Sequence, residues 1–188
     1  LHTPLALADQ IERPTSLVFD LDPGAPASII ECCRVALRLQ AMFEHLGLQM
    51  FAKTSGSKGL QVYVPLNDDG VSYAQTKPFA KAVAELMEQA EPELVVSRMN
   101  KDRRKGKVLI DWSQNDGKKT TVCVYSLRAA ERPTGSTPVS WEEVERMSRA
   151  RGKPERMAFE AEGVLKRVAD DGDLFAPVLS LAQKLPSF

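Results

Sequence analysis

The chain has 188 residues, of which 43% are hydrophobic and 27% charged, a composition that argues against disordered, collagen-like and coiled-coil classes. Lys plus Arg and Asp plus Glu each total 25, so no net charge draws the chain toward nucleic acid or an anionic membrane. Three cysteines without a CxxC spacing argue against a disulfide framework and a tetrahedral zinc site. Because no apolar run reaches the roughly 20 residues of a membrane span and no signal peptide is evident, we expect a cytoplasmic protein with no membrane partner.

The first predicted element is a buried strand over residues 17–22 that ends at a Pro-Gly turn. Side chains alternate across a strand, so Asp20 and Asp22 share one face. A helix follows, with a capping box that begins at Ser28, apolar residues at helical spacing and a stop at Gly47. We expect this helix to cover a sheet.

In the middle of the chain, the sequence predicts two strands within 50–66 on either side of a Gly-rich bend. A helix is predicted over 73–90, and its internal proline, Pro78, favours a first helical residue later than 73. Strands over 107–112 and 121–125, separated by an Asn-Asp-Gly turn, predict a hairpin.

The last part of the chain, 139–188, predicts helices with a break near an Asp-Asp-Gly sequence. Helices that alternate with hairpin-connected strands indicate an α/β (α+β) fold, with a mixed, largely antiparallel sheet flanked by helices. We expect one domain over 1–188, in which 139–188 forms a helical appendage.

Three aspartates are candidate metal ligands. Like charges on one strand face repel, and a cation that neutralises them allows a fold to keep both Asp20 and Asp22. Hard divalent ions such as Mg²⁺ and Mn²⁺ prefer oxygen ligands, and such a carboxylate pair can bridge two of them. Asp111 is the candidate third ligand, because an unpaired charge in its apolar strand would be costly. The alternative is that Asp20 or Asp22 caps a turn and Asp111 lies on a solvated face.

The Gly-rich bend contains hydroxyls, an ammonium group and approachable backbone amides, which are the ingredients of a phosphate-binding loop. Its residues are Thr54, Ser55, Gly56, Ser57, Lys58 and Gly59. The spacing is not that of a P-loop, so a plain hairpin tip is the alternative. Lys53 either adds a further charge to the loop or extends from its strand toward water.

Six of the ten residues from Arg98 to Lys107 are basic, which is typical of a segment that attracts a nucleic-acid backbone. The candidate DNA-binding residues are Arg98, Lys101, Arg103, Arg104 and Lys105. A solvated loop is the alternative.

Arg128 follows the next predicted strand and could hold a phosphate with the several N–H donors of its guanidinium group.

Taken in chain order, these motifs resemble one family, the polymerase domain of bacterial DNA ligase D and its stand-alone relatives in the archaeo-eukaryotic primase superfamily. The resemblance covers nearly the whole chain. It is carried by the stretches 19–24 (FDLDPG), 53–60 (KTSGSKGL), 110–111 (ID), 125–128 (YSLR) and 136–138 (STP).

The resemblance implies a primase-polymerase fold and template-guided nucleotidyl transfer, in which a primer 3′-hydroxyl attacks the α-phosphate of an NTP. Asp20, Asp22 and Asp111 would be the catalytic, metal-binding triad for two ions, Mn²⁺ or Mg²⁺. The implied nucleotide-binding residues are Lys53, Thr54, Ser55, Gly56, Ser57, Lys58, Gly59, Gln61 and Arg128. The implied partners are DNA with ends or gaps, ribonucleotides in preference to deoxyribonucleotides, a DNA ligase and the Ku protein, in end joining at the bacterial nucleoid.

The chain departs from the family pattern at three places. Gln61 stands where many relatives carry a histidine that contacts the nucleotide, and Gln114 stands where an arginine is common. An N-terminal segment that helps relatives bind template and a downstream 5′-phosphate is also expected to be missing. These departures leave open a DNA- and nucleotide-binding module without turnover.

A phosphohydrolase of the haloacid-dehalogenase type is a further alternative, because an apolar strand that ends in Asp-x-Asp also opens that family. Pro23 replaces the usual Thr or Val there, and Asp170 and Asp171 do not match its final acidic motif.

Overall fold

The structure is a computed structural model that describes residues 1–186, apart from the side chain of Lys101. The strands are β1 (His2–Thr3), β2 (Ser16–Pro23), β3 (Phe51–Thr54), β4 (Leu60–Pro65), β5 (Val95–Val96), β6 (Val108–Asp111), β7 (Thr121–Val122) and β8 (Pro138–Val139). The α-helices are α1 (Ile29–His45), α2 (Tyr73–Ala90), α3 (Trp141–Ser148) and α4 (Ala161–Asp171). Short 3₁₀ helices span Lys101–Arg103, Trp112–Gln114, Pro154–Met157 and Ala176–Leu179.

Six strands form the main sheet, in the order β5-β6-β2-β4-β3-β8. Every neighbouring pair in it is antiparallel except β5 and β6, which are parallel. Strands β1 and β7 pair with each other outside this sheet. The mixed, largely antiparallel sheet predicted from the sequence is therefore confirmed.

One face of the sheet is covered by helices because the alternate residues of β2 are apolar. Leu17, Phe19 and Leu21 belong to the same buried cluster as the apolar stripes of α1 and α2. Phe19 packs edge-on against Phe43 of α1, with ring centroids 5.6 Å apart. Each such fully buried side chain contributes about 1.5–3 kcal/mol of transfer free energy. This face is the main core.

The opposite face of the sheet has an apolar end and a polar end. Val18 of β2 and Tyr63 of β4 are covered by Leu5, Phe175 and Val178, with the rings of Tyr63 and Phe175 5.1 Å apart. The C-terminal segment therefore closes this end of the face. The other end carries the polar side chains described below.

The predicted hairpin between the strands near 107–112 and 121–125 is wrong. After β6 the chain turns through the 3₁₀ helix Trp112–Gln114 to Asn115, which is fully buried. The Asn115 side chain accepts a hydrogen bond from Val18 N at 2.9 Å and donates to Val18 O at 2.8 Å. Because the amide binds the edge of β2 in this way, it is a structural link and not a hairpin turn, and β7 pairs with β1 instead.

The late start predicted for the second long helix is also wrong. Helix α2 begins at Tyr73 despite Pro78, because Gln75 accepts a hydrogen bond from Ser72 N at 2.9 Å and completes a capping box. After β8, the regular elements of the described residues are all helices, namely α3, α4 and two 3₁₀ helices joined by loops, and α4 ends at Asp171 directly before Gly172, where the sequence predicts a break. Across residues 1–186, no helix is both long enough and apolar enough to cross a membrane.

A bidentate ion pair joins α3 to α4 and gives a pH-dependent stability. Arg167 donates to both carboxylate oxygens of Glu143 at 2.7 Å. Burial acts to raise the pKa of Glu143, but hydrogen bonds from Arg167 and from the Ser140 backbone outweigh it and hold the pKa below its ordinary value. The ion pair therefore stabilises the fold above the ordinary glutamate pKa, and this contribution is lost as the pH falls through the lowered value.

We expect Glu143→Gln to lower the free energy of unfolding at pH 7 by about 1–3 kcal/mol, because charge-assisted hydrogen bonds are lost. Urea unfolding measured from pH 7 down to pH 3 should show the difference from the wild type shrinking in the acid range. The matched control is Glu145→Gln, which removes an exposed pair with Arg149 and should change stability by less than about 0.5 kcal/mol. A difference that stays constant with pH would contradict the assignment.

Candidate metal and nucleotide site

A row of polar side chains crosses four strands of the sheet. Asp111 on β6 lies directly opposite Asp20 on β2, Asp20 lies opposite Gln61 on β4, and Gln61 lies opposite Lys53 on β3. Residues directly opposite each other in antiparallel strands project from the same face, so all four side chains lie on the face away from α1 and α2. Asp22, two residues after Asp20, is on this face as well.

Asp20 carries the least favourably placed charge of the row. Its Oδ1 is buried and has no hydrogen-bond partner within residues 1–186. Burial, and then repulsion from Asp22 and Asp111, raise the pKa of Asp20. A hydrogen bond with Gln61 and the charge of Lys53 act in the opposite direction, and the net effect is a pKa of about 7. A buried carboxylate oxygen without a donor is costly unless a cation binds it. The donor set of this site, oxygens from neighbouring carboxylates, therefore fits a hard divalent ion.

Asp22 lies at the exposed end of the same strand face. Burial of its carboxyl and repulsion from Asp111 raise the pKa of Asp22, while Arg104 and Arg128 act in the opposite direction. The carboxylate pair is thus flanked by two guanidinium groups from distant parts of the chain. Guanidinium groups in this position can form charge-assisted hydrogen bonds to an anionic group that approaches the aspartates.

Asp111 is held by its own turn. Its Oδ1 accepts from Ser113 N at 2.9 Å and from Ser113 Oγ at 2.6 Å, and its Oδ2 accepts from Gln114 Nε2 at 2.8 Å. Within residues 1–186, no three His, Cys, Asp or Glu side chains are already grouped as ligands of one ion. The three aspartates therefore occupy adjacent positions, but Asp111 must exchange local hydrogen bonds to join a metal site. Sequence reasoning did not identify Ser113, whose role depends on this turn.

Lys53 lies inside the protein, with 1% of its surface exposed. Its Nζ donates to Gln61 Oε1 at 2.5 Å, to Ser136 Oγ at 2.7 Å and to Val122 O at 3.0 Å, which uses all three ammonium hydrogens. Burial lowers the pKa of Lys53 to about 7, although Asp20 acts to raise it. The side chain does not extend toward water, and its hydrogen bonds orient the Gln61 amide in the polar row.

The glycine-rich loop between β3 and β4 is held against the aspartates. Ser55 N donates to Gly59 O at 2.9 Å and Gly59 N donates to Ser55 Oγ at 3.1 Å, so the loop closes on itself. A Cβ at Gly59 would lie 2.3 Å from Leu21 O and 3.6 Å from Asp22 Oδ1, so only glycine allows this close approach. Ser57 and Lys58 at the tip are exposed, and these are the loop side chains available to a ligand.

The remaining loop residues of the predicted nucleotide set have structural partners. Thr54 is buried and its Oγ1 donates to Gly135 O at 3.1 Å. Gly56 has a left-handed backbone with φ of 67°, and its carbonyl accepts from Thr134 Oγ1 at 3.0 Å. These contacts connect the loop to the segment before β8.

Arg128 lies beside this loop. A Cβ at Gly56 would be 2.8 Å from Arg128 Cγ, and Arg128 acts electrostatically on both Asp22 and Lys53. Its Nη1 is 3.4 Å from His2 Nε2, a contact between residues 126 positions apart. Sequence reasoning assigned no role to His2, and no local signal could have indicated its place here.

The basic segment from Arg98 to Lys107 is anchored next to Asp22. Gly24 N donates to Lys107 O at 2.8 Å, and Gly106 N donates to Gly24 O at 3.0 Å. The predicted DNA-binding side chains Arg98, Arg103 and Lys105 are exposed, Arg104 is half-buried toward Asp22, and the side chain of Lys101 lies outside the described residues.

The sequence and the fold are both similar to those of known proteins. The family model described as "LigD, primase-polymerase domain" matches residues 1–175. The multifunctional non-homologous end joining protein LigD of Mycolicibacterium smegmatis is 40% identical over 177 residues, which are 93% of this chain and 22% of that protein. The bifunctional non-homologous end joining protein LigD of Bacillus subtilis is 33% identical over 133 residues, 71% of this chain and 22% of that protein. The chain thus spans about a fifth of the length of these relatives.

A solved structure has the same fold. It is the polymerase domain of Mycobacterium tuberculosis ligase D in complex with DNA, with a TM-score of 0.81 and 42% sequence identity. The match covers 91% of this chain and 57% of that chain.

Proposed function

The chain belongs to the LigD primase-polymerase domain family, and on this premise we propose that it transfers nucleotides from NTPs to the 3′ end of a DNA primer. The observation that carries the proposal is the unpartnered, buried Oδ1 of Asp20, set in a row with Asp111 and next to Asp22. Carboxylates kept close together at a cost in stability are typical of a site that a cation completes.

Asp20, Asp22 and Asp111 are the residues that would hold the divalent ions, Mn²⁺ or Mg²⁺. When bound, such ions lower the proton affinity of a primer hydroxyl and stabilise the charge that develops on the phosphates. Other side chains of the protein bind the triphosphate and orient the groups around the aspartates. Arg128 and the exposed Lys58 bind the triphosphate, and the Lys53–Gln61 hydrogen bond keeps the Gln61 amide directed at Asp20. Gln61 therefore acts on the carboxylate as a hydrogen-bond donor, without the titratable group that a histidine would bring.

The basic segment and the relatives support DNA as the substrate. The segment Arg98–Lys107 lies beside Asp22 and would bind the phosphate backbone. The structural neighbour is a complex with DNA, and the relatives are end-joining proteins. We therefore propose that the chain fills gaps at DNA ends during bacterial end joining, at the nucleoid, with a DNA ligase and Ku as partners and ribonucleotides as preferred substrates.

The test is NTP addition by this chain to a gapped primer–template DNA in the presence of Mn²⁺. We expect a product that is longer by one nucleotide, together with pyrophosphate, and we expect EDTA to stop the reaction. The control substrate is an NTP with a methylene group between the α- and β-phosphorus atoms, which cannot release pyrophosphate. Absence of product across Mn²⁺ and Mg²⁺ concentrations would contradict the proposal.

The second candidate function is a module that binds DNA and nucleotide without turnover. The hydrogen bonds that hold both oxygens of Asp111 in its own turn favour this alternative. Salt-sensitive DNA binding that persists without metal, combined with no nucleotide addition, would support it. The phosphohydrolase alternative is overturned by the family match over residues 1–175.

A further inference from the structure

The positive charges of this neutral protein are concentrated in two segments. Besides Arg98–Lys107, the stretch from Arg146 to Arg156 carries five basic residues and one acidic residue. These two segments make up 21 residues and contain eleven of the 25 lysines and arginines. Because the net charge of the whole chain is zero, the rest of the molecule is distinctly acidic. The second basic segment therefore stands out from its surroundings and was not singled out by the sequence motifs.

Three cations of the second segment are free to bind a ligand. Arg151, Lys153 and Arg156 are exposed, and none of them forms an ion pair with a described residue. They lie on both sides of the turn that leads into the 3₁₀ helix Pro154–Met157. Arg149, by contrast, is paired with Glu145. The segment thus presents three cations outside ion pairs within six residues, together with one carboxylate, that of the exposed Glu155.

A groove of 350 Å³ connects this segment to the candidate site. Three parts of the chain line it: the turn from Pro23 to Ile29 after Asp22, the loop tip at Ser57 and Lys58, and the stretch from Pro154 to Ala158. The same turn is hydrogen-bonded on another side to the Arg98–Lys107 segment, through Gly24 and Gly106. The two basic segments therefore meet the same turn, directly after the aspartates.

The lining of the groove matches an unpaired nucleotide better than a duplex. Its surface is mainly small or apolar, with side chains such as those of Ala27, Met157 and Ala158. The polar lining residues are Ser28, Ser57, Lys58 and Glu155, so the groove itself carries one cation and one carboxylate. An unpaired base can enter such a groove, whereas a paired base is held within the width of the double helix. The free cations beside it match the regular phosphates of a strand.

We propose that this groove and the Arg151, Lys153 and Arg156 side chains bind a single-stranded DNA segment that continues from the candidate site. One nucleobase lies in the groove between the turn and the 3₁₀ helix, and the flanking phosphates contact the three cations. The inference rests on the proposed function for its choice of DNA as the ligand, but it concerns binding alone.

The test is fluorescence anisotropy with a labelled single-stranded oligonucleotide, without metal or NTP, at salt concentrations from about 50 to 200 mM. Each phosphate contact on a single strand contributes about 0.7 to the slope of log K against log salt, so Arg151→Gln/Lys153→Gln/Arg156→Gln should reduce the slope by about 2. The single variant Arg156→Gln should reduce it by about 0.7. A second measurement uses Ala158→Trp, which fills the groove and should weaken single-strand binding while blunt-duplex binding stays unchanged.

The matched control is Arg38→Gln/Lys118→Gln/Lys166→Gln, which removes three exposed cations from other surfaces and should leave the slope within about 0.5 of the wild type. Equal losses in both triple variants would show that net charge alone is responsible and would overturn the proposal. An unchanged slope in the first triple variant would also overturn it. Because nucleotide addition is not part of this assay, a change in slope in a protein that adds no nucleotide would support the groove and contradict only the proposed function.

Discussion

Replacing Asp20 by asparagine is expected to abolish nucleotide addition and to make the folded protein more stable. The amide removes a negative charge that burial and the neighbouring aspartates disfavour, since they raise the pKa of Asp20 to about 7 and its buried Oδ1 has no hydrogen-bond partner among the described residues. Relief of this repulsion should raise the free energy of unfolding by about 1–3 kcal/mol. The same substitution removes a carboxylate that, under the proposed function, holds a divalent ion, and it should lower the rate of addition by about 10³-fold or more.

Thermal unfolding without metal and primer extension with Mn²⁺ measure the two effects separately. The control is Asp9→Asn, which changes an exposed aspartate and should alter neither quantity. Asp22→Asn should also stop addition but stabilise less, because Asp22 is more exposed. If Asp20→Asn lost both activity and stability, the Asp20 carboxylate would be a structural group, and the cation site would lose its main support.

Replacing Lys53 by methionine is expected to lower the free energy of unfolding by about 2–4 kcal/mol, because three buried acceptors lose their donor. The acceptors are Gln61 Oε1, Ser136 Oγ and Val122 O. Methionine retains most of the apolar volume of the side chain, so the measured loss reports mainly on the hydrogen bonds and the charge. Part of the loss is offset, since burial already disfavours the charged lysine and lowers its pKa to about 7.

Urea unfolding at pH 6 checks this prediction, with Lys166→Met as the control for an exposed lysine paired with Asp170. The control should change stability by less than about 0.5 kcal/mol. Adding Asp20→Asn to Lys53→Met should recover part of the loss, because the two charges act on each other. A Lys53→Met variant as stable as the wild type would show that the cost of burying the ammonium group outweighs its three hydrogen bonds.

Much of the local structure could be predicted from residues close together in the chain. Asp20 and Asp22 share a face because they are two residues apart in a strand, and the capping box at Ser28 begins α1 as expected. The strands on either side of the glycine-rich loop pair as predicted. In each case the geometry follows from alternation, capping or turn preferences, which act over a few residues.

Where local preference and long-range contacts disagreed, the prediction failed. The Asn-Asp-Gly sequence favours a hairpin turn, but Asn115 is bound to the backbone of Val18, 97 residues away. Proline favours a late start for α2, but the capping box at Ser72 holds the first turn. A buried side-chain amide that satisfies strand-edge groups outweighs a turn propensity of small free energy.

The sequence by itself determined that two carboxylates lie on the same face of one strand. It also determined the glycine-rich loop, the basic segment and the class of fold, because all of these depend on short-range patterns. Only the tertiary structure placed Asp111 opposite Asp20, enclosed Lys53 with Ser136, and brought Arg128 beside the loop. These contacts depend on strand order and register, which arise when distant segments share one sheet and one buried core. A carboxylate left without a donor at Oδ1 is a property of that packing, and it is the feature on which the proposed chemistry rests.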